Sequence, residues 1–177
     1  VSAGLAAAPY LLRRHDWDAA SYFLEQARAR DSYSPIIAQA VLPPLRRITE
    51  ATGEPNDLYV LASALIDVDS AEAETLLRRV YDQATIVGDL GLASAAAGGL
   101  VTLLRDQGRL RDALTLIDQK IEHVRDAGLG PWTQLRDQGQ RLQILGLFGH
   151  HEQLLEQGRR RIAAAGRLIA AIDKARP

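Results

Sequence analysis

Gly88, Gly108, Gly128, Gly130 and Gly149 cut the second half of this chain into apolar-periodic stretches about twenty residues long. Glycine just past a helix end supplies the left-handed backbone that residues with a Cβ resist. The spacing predicts helices near 70–87, 90–107, 109–127, 131–148 and 150–173. Start signals agree with these stops. Asp89 precedes a helix it can cap, Pro131 falls where a first-turn proline is tolerated, and Asp69 with Glu72 has capping-box spacing.

Inside these stretches the apolar residues recur at three- and four-residue steps, which gathers them on one helical stripe. Over 70–87 the stripe is Ala73, Leu76, Leu77, Val80, Ala84 and Val87, and it is expected to be buried. Over 109–127 it is Leu110, Ala113, Leu114, Ile117, Ile121 and Val124, with Arg111, Asp112, Asp118, Glu122 and Arg125 facing outward.

The first half reads as helices near 3–14, 16–30, 35–52 and 57–67, the third capped by Ser34 with Pro35 in its first turn. Pro43 and Pro44 each remove a backbone donor from that third helix, so a kink or two shorter helices are expected there. This proline-broken helix fits no pair. No strand-length alternation occurs, and loops of one to five residues oblige successive helices to pack antiparallel.

Composition narrows the function classes. Apolar residues make up 47% and charged residues 24%, a globular balance, while only 5% are aromatic, which favours closely packed helices over sheets. A formal charge of −1 gives no field to gather nucleic acid or an anionic membrane. Without cysteine there are neither disulfides nor thiolate zinc sites, which fits a cytoplasmic protein. The stretch Leu5 to Leu12 is too short for a membrane span and lacks the basic start of a signal peptide. Nineteen arginines against two lysines suggest a GC-rich genome, and a chain that begins at Val1 without methionine reads as one domain, 1–177, cut from a longer protein.

Helix pairs repeat around three turns. Leu100 and Leu104 precede Gly108, with Leu110, Ala113 and Ile117 after it. Ala8 and Leu11 precede His15, with Trp17, Ala20, Leu24 and Ala27 after it; Leu142 and Leu145 precede Gly149, with His151, Leu154 and Gly158 after it. A fourth unit joins the 57–67 and 70–87 helices through Leu61, Ala62 and Leu65. Small residues let paired helices approach and large ones fill the space beside them. These placements resemble the tetratricopeptide repeat, although 41 residues separate Gly108 from Gly149, so the units are extended or tetratricopeptide-like. The stretches Gly128 to Trp132 and Gln140 to Leu145 look like arrays in large actinobacterial signalling proteins, such as nucleotide-binding switch proteins and transcriptional regulators.

The resemblance implies an all-α, right-handed α-α superhelix, a TPR-like solenoid of about nine antiparallel helices. It implies a protein-interaction scaffold whose concave groove holds a partner protein, a peptide or another domain of its own polypeptide, without catalysis or a cofactor. Two other readings compete. One is a ligand-sensing or regulatory segment of a multidomain nucleotide-binding or transcriptional regulator, which needs an apolar pocket with convergent polar groups. The other is a helical hydrolase, which needs two buried acids facing each other across a cleft.

No residue pattern favours catalysis or a metal. His150 and His151 point about 100° apart on a helix and have no third ligand in register, and His15 and His123 stand alone. Asp16, Asp69 and Asp89 are accounted for by helix starts, and Glu50, Glu72 and Glu122 by wet faces. Gly98 and Gly99 lack the lysine and hydroxyl of a phosphate loop and read as close helix packing.

The basic run Arg159, Arg160 and Arg161, continued by Arg167, Lys174 and Arg176, suits phosphate or an acidic partner. It shares its segment with Ile162, Leu168, Ile169 and Ile172, which reads as a capping helix. Arg46 and Arg47 read as solvated surface. Helical phase puts Thr102, Arg105, Arg136, Gln140 and Gln143 on or near the groove, with Trp132 as an exposed anchor and Trp17 in the core. A homodimer is also open, since a segment of an array exposes apolar ends.

Overall fold

In the computed structural model, which describes residues 2–30 and 34–175, the described residues form nine helices. They are α1 (Ser2–Arg13), α2 (Trp17–Arg30), α3 (Pro35–Thr52), α4 (Pro55–Leu65), α5 (Ser70–Val87), α6 (Leu90–Asp106), α7 (Leu110–Asp126), α8 (Pro131–Leu147) and α9 (His151–Ala175). Every helix expected from the sequence is present, with both ends within two residues of the expected bounds. Two compact units divide the chain, residues 1–99 and 100–177.

In the first unit α1 packs on α2 and α3, α3 on α4, and α4 on α5. Its core is built from Leu24, Val41, Leu45, Ile48, Leu65, Leu77 and Val80. Two expectations change here. The helix carrying Pro43 and Pro44 is continuous and packs on α1, α2 and α4 instead of standing unpaired. The carbonyls those prolines leave without an N–H donor belong to Gln39 and Ala40, both exposed residues, where solvent can replace the missing donors. Val87, assigned to a buried stripe, is 75% exposed because α5 runs out past the core before Gly88 ends it.

Start signals act largely as read. Ser34 Oγ accepts from the Ile37 N–H, Asp69 Oδ1 from Glu72 and Asp89 Oδ1 from Leu92. The Asp69–Glu72 capping box is only half closed. The Glu72 carboxylate turns away to accept two hydrogen bonds from Arg46, at 2.6 and 2.5 Å, so Glu72 and Arg46 form an α3–α5 tie and are not free wet-face residues. Gly99 lies against Leu77, whose methyl carbons are 3.1 Å from where a Cβ would stand, the close approach expected of the Gly98–Gly99 pair.

The second unit is centred on Val101, Leu104, Ala113, Ile117 and Ile144, with Leu110, Leu114, Ile121 and Phe148 packed around them. Here α7 packs on α8, and α8 on α9. The turns at Gly108 and Gly149 are alike: the N–H after the glycine reaches back to the Leu104 and Leu145 carbonyls at 2.8 and 3.1 Å. His15 makes the same turn with φ 57°, its successor Asp16 bonding to the Leu11 carbonyl. Gly130 is not a stop: with φ −53° it is the N-cap of α8, and Gly128 ends α7.

Candidate functional site

Of the six residues expected at the groove, Thr102 and Arg105 sit on α6 and Trp132, Arg136, Gln140 and Gln143 on α8. Arg105 and Gln143 meet: Arg105 Nη1 donates to Gln143 Oε1 at 3.0 Å, while Nη2 pairs with Asp106 at 2.7 Å. Trp132 is 51% exposed, whereas Trp17, expected in the core, is half-buried with its ring edge-on to His15 at 5.1 Å.

Trp132, Arg136, Gln140 and Gln143 also line a cleft of about 800 Å³. Its other wall is α9, through Leu155 and Ile162. Thr102 and Arg105 are not on this cleft, so the six residues are divided between an α6–α8 contact and an α8–α9 cleft that share Gln143. The capping-helix reading takes Ile162, Leu168, Ile169 and Ile172 as its apolar stripe. No described residue of α9 is buried, however, and Ile162, Ile169 and Ile172 are 74, 52 and 45% exposed. A usable signal was the seven-residue spacing of Leu155, Ile162 and Ile169.

Across the α8–α9 interface Arg161 Nε donates to the Leu135 carbonyl at 2.9 Å. Its guanidinium lies over Gly139, where a Cβ would come within 2.8 Å of Nη2. A second depression, between α7, α8 and α9, is crossed by Arg141, which bonds to Asp118 at 2.5 Å and to Gln157 at 2.8 Å.

Sequence reasoning missed Lys120 and Asp137 altogether. Their ion pair, 2.6 Å long, is buried at both ends, and Asp137 Oδ2 has no hydrogen-bond partner. Burial pushes the Lys120 ammonium below its ordinary range, more than the hydrogen bond to Asp137 raises it. The signal was present: Ala113, Ile117, Lys120 and Val124 have the spacing of one stripe, and a lysine on it needs a buried partner. His150, His151, His15 and His123 are exposed, and no three potential metal ligands cluster among the described residues. No described helix is long and apolar enough to cross a membrane.

Short antiparallel helices, small residues where neighbours approach and left-handed turns after Leu104 and Leu145 define an all-α, TPR-like helical repeat. Two solved structures from Podosopora anserina share the fold, both of a protein assigned as a kinesin light chain with nearly identical TPR-like repeats. The first, of a point variant of that protein, matches with a TM-score of 0.64 and 16% identity over 96% of each chain. The second matches with a TM-score of 0.62 and 16% identity, over 94% of this chain and 95% of the other. No protein-family model and no curated protein matches the sequence.

Proposed function

We propose that the chain is a protein-interaction scaffold that holds a partner protein, a peptide or another domain of its own polypeptide, and performs no chemistry. The TPR-like fold carries this reading, because such arrays serve generally as protein-binding scaffolds. Within it, Thr102, Arg105 and Gln143 on the α6–α8 face are polar contact residues, and Arg136, Gln140 and the aromatic anchor Trp132 extend the contact along α8 toward α9. The test compares the chain with an Arg105→Glu/Gln143→Glu variant. Proteins retained by each are identified, and the one retained most is titrated against both by calorimetry. Binding about tenfold weaker in the variant supports the α6–α8 face; equal affinity counts against it.

A second reading, the small-ligand sensor within a larger regulator, is favoured by one observation. A cleft of about 490 Å³ lies between α1 and α3, lined by Leu12, Leu24 and Pro43, with Arg13 and Arg47 among its residues. Saturable thermal stabilisation by an apolar carboxylate, lost in Arg47→Glu, would support it.

A further inference from the structure

We propose that the α8–α9 cleft docks one amphipathic helix of a partner protein, its apolar stripe flanked by aspartate and glutamate. This deepens the scaffold reading and rests on it.

The apolar half of the proposal comes from α9. Leu155, Ile162 and Ile169 are seven residues apart and 58, 74 and 52% exposed. Gly158, Ala165 and Ile172 follow them at the same interval, three residues on. A 3.5-residue seam of this kind receives the side chains of another helix, large residues projecting and small ones leaving holes. At Gly158 nothing stands within 4 Å of an added Cβ, so the hole is open. Trp132 on α8 lines the same cleft as Leu155 and Ile162, so an aromatic ring and the exposed seam border one space of about 800 Å³.

Charge then chooses the occupant. Arg136, Arg159 and Arg161 line the cleft, and no aspartate or glutamate does. Arg161 is fixed in place by the Leu135 carbonyl and the space over Gly139, so its guanidinium is held for a carboxylate before any partner arrives. A second copy of α9 is poorly suited. Residues 151–175 contain five basic residues and three acidic, a charge of +2, and Arg159, Arg160, Arg161 and Arg167 of two copies would be brought together. A bilayer is the other surface that an exposed apolar seam beside arginines can meet, and vesicle binding separates it from this occupant.

The experiment uses the whole chain with Trp17→Phe, leaving Trp132 as its one tryptophan. The probes are a synthetic three-heptad peptide with leucine at a and d and glutamate at e and g, and the same peptide with lysine for glutamate. The glutamate peptide is expected to shift Trp132 emission saturably, and the lysine peptide to bind at least about tenfold more weakly. Arg159→Glu and Ile162→Glu, both at exposed positions that leave the core intact, are each expected to weaken the glutamate peptide about tenfold.

Equal binding of the two peptides, or an Ile162→Glu variant that binds as well as the parent, overturns the proposal. So does sedimentation showing a dimer that Ile162→Glu dissociates, or equimolar phosphatidylcholine–phosphatidylglycerol vesicles that bind the chain more tightly than the peptide does. Because Arg159 and Ile162 lie outside the α6–α8 face, a negative result here alongside a positive Arg105→Glu/Gln143→Glu comparison removes this cleft and leaves the scaffold reading standing.

Discussion

Lys120 Nζ lies 2.6 Å from Asp137 Oδ1, and the pair is enclosed between α7 and α8 with side-chain exposures of 2 and 0%. Removing Lys120 leaves the buried Asp137 carboxylate with the longer, 3.7 Å approach of Arg136 Nε in place of a direct hydrogen bond. Lys120→Met is therefore expected to destabilise the fold by about 3–5 kcal/mol. The double variant Lys120→Met/Asp137→Leu removes both desolvation costs and is expected to recover most of that loss. Denaturant unfolding of the three chains checks this, and a double variant as unstable as the single one would refute it.

The same pair predicts a pH dependence. Burial lowers the folded pKa of Lys120 beneath its ordinary value of 10.5. Between the lowered value and 10.5 the unfolded chain holds this proton more tightly than the folded chain, so Lys120 makes stability rise with pH across that window. Subtracting the alkaline stability profile of Lys120→Met/Asp137→Leu from that of the parent isolates the slope. A difference that falls with rising pH would contradict the assignment.

Two glycines of α6 predict opposite signs. At Gly99 a methyl group meets Leu77, itself fully buried, at 3.1 Å. Leu77 is enclosed and has no open space to give into, so an overpacking cost at the middle of the usual range, about 2 kcal/mol, outweighs the gain of about 1 kcal/mol in helix propensity and Gly99→Ala is expected to destabilise. At exposed Gly91 only Asp89 Oδ1 lies near, at 3.5 Å, and Gly91→Ala is expected to stabilise by up to about 1 kcal/mol. Melting temperatures moving in the same direction for both variants would be inconsistent with this packing.

The helices were legible because caps and stripes act locally. Ser34, Asp69 and Asp89 bond to N–H groups three residues on, so sequence spacing contains the geometry. What spacing does not contain is which helix lies opposite. Glu72 has the position of a capping-box partner, yet Arg46, 26 residues earlier, takes its carboxylate. Arg105 and Gln143, chosen by phase, do meet, but Trp132 and Arg136 share their cleft with α9, read as a finished cap. Lys120 escaped notice because a stripe was read through its apolar members, while the partner that makes a buried lysine tolerable lies 17 residues away.

The half-closed cap at α5 separates two contributions that a complete capping box would merge. Asp69 Oδ1 accepts the Glu72 N–H at 3.0 Å, so Asp69→Ala leaves a first-turn donor without its partner and is expected to cost about 1 kcal/mol. Glu72→Ala leaves that bond in place and removes the pair with Arg46, whose side chains are 46 and 31% exposed. Solvent and salt screen such a pair, so its loss is expected to cost under about 1 kcal/mol and to shrink further at high ionic strength. Asp69→Ala removes both that bond and a carboxylate that acts on the helix N-terminus and on Arg46, so high salt is expected to shrink its cost only in part. Unfolding free energies at low and high sodium chloride check this: a Glu72→Ala cost that does not shrink as salt rises would mean that the Glu72 carboxylate belongs to the cap and not to Arg46.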